Sequence, residues 1–185
     1  LMTLAIEALQ LSKRYSSQPK DSQPALDGFD LQIGKGQLYG VVGPDGAGKT
    51  TLIRILATIL KPTSGCARLA GFDVMKQSEK VRSRLGYMPQ AFSLYPDLSV
   101  MENLHFFADM NGVPRAKQKE RIDELLDFAR LTDFTSRRSE NLSGGMRKKL
   151  ALACALIHEP EILLLDEPTT GVDPVSRREL WQLLS

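Results

Sequence analysis

The spacing of apolar residues changes period along this chain. "TLAIEALQL" and "LDGFDLQI" alternate apolar with polar positions, the two-residue period of half-buried strands, and predict two antiparallel strands. Between them "SKRYSSQPKDSQP", rich in Ser, Pro and Lys, reads as a loop. "QLYGVVG" is nearly continuously apolar and predicts a short buried strand. A helix is expected from about Lys49 to Leu60, stopped by "KPTSG". "CARLAGFDV" reads as a strand with a turn, "SEKVRSRLG" as a short helix and "LGYMPQ" as a strand edge.

The period then becomes helical. "SVMENLHFFADMNG" opens with Ser99 and Glu102 at capping-box spacing and closes on Gly112. In "PRAKQKERIDELLDFARL", Pro114 stands near the first turn, and Ile122, Leu125, Leu126 and Ala129 form one apolar stripe. "NLSGGMRKKLALACALIHEP" reads as a loop feeding a helix that Pro160 ends. "EILLLDEP" is a continuous apolar strand of the kind buried in a parallel sheet. Asp173 and Pro174 begin one more helix. The pattern predicts one α/β domain over 1–185. Its core covers 1–90 and 160–185, with a helical subdomain over about 91–159.

Bulk properties narrow this only a little. The length of 185 residues suits one domain with an inserted subdomain. A net charge of +2, from 24 basic and 22 acidic residues, gives no electrostatic case for nucleic acid as a partner. Cys66 and Cys154 are far apart and carry no pairing pattern, which fits a reducing compartment. No apolar run approaches the roughly 18 residues of a membrane span. The sequence stops at "RRELWQLLS", inside a helical pattern without a C-cap, and so reads as a truncated piece.

Candidate chemistry starts at "GPDGAGKT". Gly43, Pro44, Asp45, Gly46, Ala47, Gly48, Lys49 and Thr50 fit the phosphate-loop pattern G-x-x-x-x-G-K-[ST]. Glycines let successive backbone N–H groups converge on one anion. The following helix adds unpaired N–H groups and a partial positive end. Lys49 is expected to reach the β- and γ-phosphates, Thr50 to ligate Mg²⁺ and Thr51 to help hold the α-phosphate. "ILLLDE" places Asp166 and Glu167 at the end of an apolar strand. Acids there face the crevice where α/β sheets bind ligands. Asp166 is the candidate for Mg²⁺, through water, and Glu167 for the base that takes a proton from attacking water.

Asn141-Leu142-Ser143-Gly144-Gly145 is a second Ser/Gly turn that opens a helix, with Arg147, Lys148 and Lys149 just behind it. It reads either as a helix start with a solvated basic turn or as a second anion-binding helix N-terminus. With this turn in place the sequence resembles the nucleotide-binding domains of ABC ATPases over essentially its whole length. The motifs stand in that family's order: "GPDGAGKT" as Walker A, "MPQ" as Q-loop, "LSGGM" as signature, "ILLLDE" as Walker B and "GVDP" as D-loop. The resemblance implies a P-loop NTPase core: a parallel sheet with helices on both faces, an antiparallel N-terminal part and an inserted helical subdomain. It implies ATP and Mg²⁺ as cofactors. It also implies a head-to-tail dimer with a second ATPase domain, in which Ser143, Gly144 and Gly145 meet the nucleotide held by the partner.

By the same resemblance Gln90 is the Q-loop glutamine, touching Mg²⁺ and coupling nucleotide state to the helical subdomain. Tyr15 corresponds to the aromatic that stacks on adenine, or serves as a loop anchor. Asp173 is the D-loop aspartate. The sequence departs from the family at Met146, where glutamine is usual, and it stops before the family's switch histidine. Neither His105 nor His158 stands at that position, so this stretch alone is expected to turn over ATP poorly.

The region after the Q-loop resembles that of bacterial multidrug-exporter ATPase subunits. This implies an ATP-hydrolysing subunit on the cytoplasmic face of the inner membrane, partnered by permease subunits, driving export. Phe92, Leu94, Tyr95, Phe106 and Phe107 either form a groove for a permease helix or pack within the helical subdomain. A soluble ABC ATPase acting on ribosomes or another macromolecular complex is the alternative. The signature and the absence of an N-K-x-D motif argue against an unrelated P-loop kinase or GTPase.

Overall fold

The computed structural model describes residues 4–17, 23–91 and 93–184. Phe92, one of the aromatics after the Q-loop, lies outside the described residues. The chain divides into two compact units, Leu1–Leu85 and Gly86–Ser185.

The first unit is built on an antiparallel sheet. Strands β1 (Leu4–Lys13) and β2 (Leu26–Gly34) are the predicted alternating pair, and β3 (Ser64–Leu69) and β4 (Phe72–Asp73) are the predicted strand and turn. Their order is β2-β1-β3-β4. Ala8 faces Leu31 on one side and Ala67 on the other, while Glu7 pairs with Gln32 and Arg68. Alternation therefore sends Ile6 and Ala8 into the core. Helix α1 (Lys49–Leu56) buries Thr51, Leu52, Ile55 and Leu56 along one face. It ends a turn earlier than the apolar run suggested. Thr58 takes a left-handed φ of 63°, and the N–H groups of Ile59 and Leu60 both fold back onto the Arg54 carbonyl. A left-handed residue just past the last turn closes a helix even when it is not glycine.

The predicted strand "QLYGVVG" is corrected. Residues 37–42 belong to no strand, and Leu38 and Val42 are 83% and 95% exposed. An apolar strand without a polar face needs sheet neighbours on both sides and cover over both faces. Among the described residues, the strands of the first unit pair in the order β2-β1-β3-β4, and this run is not among them.

In the second unit β5 (Leu85–Met88) and β6 (Ile162–Leu165) are hydrogen-bonded neighbours. The contact continues past β6 where Asp166 N–H donates to Met88 O at 2.9 Å. The first unit also carries α2 (Ser78–Arg82), and the helices of the second are α3 (Val100–Met110), α4 (Arg115–Ala129), α5 (Gly144–Leu156) and α6 (Pro174–Leu184). The capping box of α3 forms as expected: Ser99 Oγ accepts from Glu102 N–H and Glu102 Oε2 from Ser99 N–H. The stripe Ile122, Leu125, Leu126 and Ala129 of α4 meets Val100 and Leu104 of α3 and Leu150, Ala153 and Cys154 of α5 in one core. Met88, Ala151, Leu152 and Leu180 form a second cluster. Burial pushes the Cys154 thiol far above its ordinary range, so it acts as an inert core side chain. Among the described residues no helix is long and apolar enough to cross a membrane.

Candidate functional site

Each unit carries part of the chemistry. In the first, the glycine loop runs into α1 with Gly46 at φ 80° and Gly48 at φ 87°. Gly48 can only be glycine: a Cβ there would lie 2.1 Å from the Ala25 carbonyl oxygen, in a backbone region that side chains avoid. Around Gly46 nothing lies within 4 Å of where a Cβ would stand. Lys49 Nζ donates to Gly43 O at 2.7 Å and Pro44 O at 2.8 Å, arching over the loop. An ammonium has three donors, so these two bonds leave capacity for an anion. Helix α1 has no acidic residue in its first turn and no side-chain cap. Its positive dipole end therefore has no acidic side chain of its own helix to neutralise it and favours an anion. The residues present fit a nucleotide's phosphates.

Thr51 is buried, and its Oγ1 lies 3.2 Å from the Tyr15 hydroxyl. Lys13 Nζ stands 5.3 Å from the centre of the Tyr15 ring. The Tyr15 hydroxyl is thus tied to the start of α1.

In the second unit Glu167 follows β6 with a left-handed φ of 49°, which turns its side chain off the strand line. Gln90 Nε2 donates to Glu167 Oε2 at 2.7 Å, and Thr170 Oγ1 donates to the same oxygen at 2.9 Å. Both bonds fall on Oε2, so Oε1 can receive a water proton. Asp166 beside it is 1% exposed. A carboxylate this deeply buried needs compensating charge or hydrogen bonds, a fit for cation chemistry.

Ser143 and Asp173 both act as helix caps. Ser143 Oγ accepts from Met146 N–H at 3.2 Å. Asp173 Oδ1 accepts from Val175 N–H at 3.1 Å and Ser176 N–H at 3.0 Å, and the bond from Ser176 holds its carboxyl below the usual range. Gly145 has a packing reason for its identity: a Cβ there would meet Ser176 Cβ at 2.5 Å. The start of the signature helix and the start of α6 are therefore in close contact.

The basic run of α5 is not a solvated turn. Lys148 is 2% and Lys149 8% exposed. Lys148 Nζ donates to Gln90 O at 2.9 Å, and Lys149 pairs with Glu179 of α6. Lys148 and Thr170 are the site residues that sequence reasoning missed. A signal existed for the lysines: 145, 148, 149 and 152 share one helical face, and Gly145 and Leu152 are buried on it. For Thr170 there was none.

A phosphate-shaped glycine loop, a glycine-rich helix start and a buried acid at a strand end define an α/β nucleotide-binding protein of the P-loop class. Comparison with known proteins names the branch. The ABC transporter family model matches residues 26–170, and the chain belongs to that family. It is 52% identical over 174 residues to the probable multidrug ABC transporter ATP-binding protein YbhF of Escherichia coli (strain K12), covering 94% of this chain and 30% of that protein. It is 43% identical to the daunorubicin resistance ATP-binding protein DrrA3 of Streptomyces coeruleorubidus, covering 91% of this chain and 52% of the other. The Nod factor export ATP-binding protein I of Cupriavidus metallidurans is 40% identical, with 99% of this chain and 59% of that protein covered. The chain thus spans about a third to three fifths of these relatives.

Among solved structures, a dimeric ATP-binding cassette in a post-hydrolysis state with ADP and Pi matches with a TM-score of 0.85 and 28% identity, over 97% of this chain and 81% of that one. The cbiO1 subunit from Clostridium perfringens, part of the ABC transporter complex cbiONQ, matches at 0.84 and 30%, over 98% and 72%. The fold is that of the ABC ATPase cassette, and the relatives are ATP-binding proteins of multidrug and export systems.

Proposed function

We propose that this chain is the ATP-hydrolysing part of an ABC exporter and drives transport through a permease by nucleotide-dependent dimerisation. The observation that carries the reading is the Glu167 carboxylate, held through one oxygen by Gln90 and Thr170 with the other left for water. That is the geometry of a positioned general base.

In the first unit, Gly43 to Thr51 cradle the phosphates: backbone N–H groups bind them, Lys49 balances their charge, and Thr50 is assigned to Mg²⁺. Tyr15 is the adenine-side residue. In the second unit, Gln90 and Asp166 are assigned to Mg²⁺, which when bound neutralises charge on the phosphates. Glu167 accepts the proton of the attacking water. Ser143, Gly144 and Gly145 serve the nucleotide of a partner cassette, and Asp173 stands at the same contact. Gln90 passes the nucleotide state to the helices over 91–159, the part we assign to the permease. The protein then sits peripherally on the cytoplasmic face of the membrane. The exporter assignment rests on the multidrug and export relatives. They favour it over a soluble ATPase acting on ribosomes.

The test is affinity purification of the tagged full-length protein from detergent-solubilised membranes, with partners identified by mass spectrometry. A stoichiometric multi-span membrane protein is the expected partner. Recovery of ribosomes alone would contradict the transporter assignment and leave the ATP site standing.

A further inference from the structure

Lys148 is a fully buried lysine on the fifth residue of α5, four positions behind Gly144. Burying an ammonium costs several kcal/mol unless charges and hydrogen bonds compensate it. A core leucine or methionine would fill the same volume without that cost. The compensation identifies what the lysine serves. Its Nζ donates to the Gln90 carbonyl oxygen at 2.9 Å. The carboxylates of Glu167 and Asp166 act on its charge and oppose the downward pull of burial on its pKa. Gln90 in turn holds Glu167 through its side chain at 2.7 Å. Gln90 thus bridges Lys148, which its backbone carbonyl accepts from, and Glu167, which its side chain donates to. The bridge hangs from the first turns of the helix that Ser143 caps.

We propose that Lys148 is a positioning residue that couples the signature helix to the Q-loop and to the base. Displacement of α5 moves the Gln90 carbonyl and the carboxylate field together, so Glu167 is set in place only when the signature helix is seated. The catalytic side of this proposal rests on the reading of Glu167 as the base; the mechanical side does not.

Two readouts separate them, both on the full-length protein. The first is hydrogen–deuterium exchange without nucleotide. Lys148→Met should raise exchange severalfold in peptides covering residues 88–91 and 166–170, leaving those of α3 and α4 unchanged. Lys148→Arg, which keeps the charge and the donor, should match the wild type. The second is ATP turnover. Lys148→Met should lower kcat at least tenfold with KM within about threefold of wild type, and Lys148→Arg should recover most of it. Lys148→Gln keeps a polar side chain without charge and should behave as the methionine variant.

Unchanged exchange around residues 88–91 in a folded Lys148→Met would overturn the coupling, as would wild-type kcat in either uncharged variant. Loss of the folded state in both uncharged variants would also overturn it and make the lysine a fold element. Glu167→Gln, run alongside, should lose turnover while still binding ATP. If it hydrolyses ATP normally, the base assignment fails, and the exchange experiment still decides the coupling.

Discussion

Gly48 shows how one residue type can be demanded twice over. Its φ of 87° suits a residue without a side chain, and the Ala25 carbonyl leaves no space for one. Gly48→Ala is expected to cost at least about 1–3 kcal/mol from backbone strain alone. It should also lower affinity for a fluorescent ATP analogue more than tenfold, because the loop must shift to relieve the contact. Denaturant unfolding and a nucleotide titration check the two effects. Unchanged affinity would mean that the loop tolerates the shift. The glycine loop was legible in the sequence because its chemistry lies in the backbone and needs glycine at fixed spacing. The burial of Lys148 left only the fainter trace of its helical face, shared with Gly145 and Leu152, and its role left none, since a lysine behind Ser-Gly-Gly looks like any solvated basic turn. Its partner is a main-chain carbonyl far away in sequence, and carbonyls carry no residue signature.

Helix starts and stops were readable where side chains make the cap. The Ser99–Glu102 box formed as the spacing predicted. Ser99→Ala should destabilise the protein by about 1 kcal/mol, read by denaturant unfolding, and a change below about 0.3 would show that the box contributes little here. The early end of α1 was not readable, because the left-handed turn at Thr58 has no glycine to announce it. Contact between elements was hidden as well. Gly145→Ala drives a methyl against Ser176 and should cost about 1–3 kcal/mol, while Ser176→Gly in the same chain should restore most of that loss. Additive losses in the double variant would refute the steric account.

The α5–α6 contact also carries a pH dependence. The hydrogen bond from Lys149 holds Glu179 below its ordinary value of 4.5. A carboxyl whose folded pKa lies below its unfolded one stabilises the protein fully above that ordinary value and loses the contribution as pH falls below it. Glu179→Gln should therefore melt lower than wild type at neutral pH and lose less stability between about pH 5 and 3. Parallel acid limbs would show that the pair does not contribute.

At the scale of the whole molecule, the ordered motifs from "GPDGAGKT" to "GVDP" resembled an ABC cassette, and the family match and the solved cassettes agree. The run at 37–42 marks the limit of pattern reading. Its apolar character states that it can be buried, and burial is decided by partners that the pattern does not name. The second unit, by contrast, brings Gln90 together with Lys148 and Glu167, which lie 58 and 77 positions further along the chain. This assembled carboxylate is what turns a nucleotide-binding fold into a proposed hydrolase.

The measurement that bears on it most directly is phosphate release by purified full-length Glu167→Gln, beside ATP binding by the same protein. The account predicts unchanged binding, a kcat lowered by about 10²–10⁴-fold and an ATP-bound dimer that accumulates on a sizing column. Phosphate release at the wild-type rate from a protein that binds ATP normally would contradict the role of Glu167 as the base.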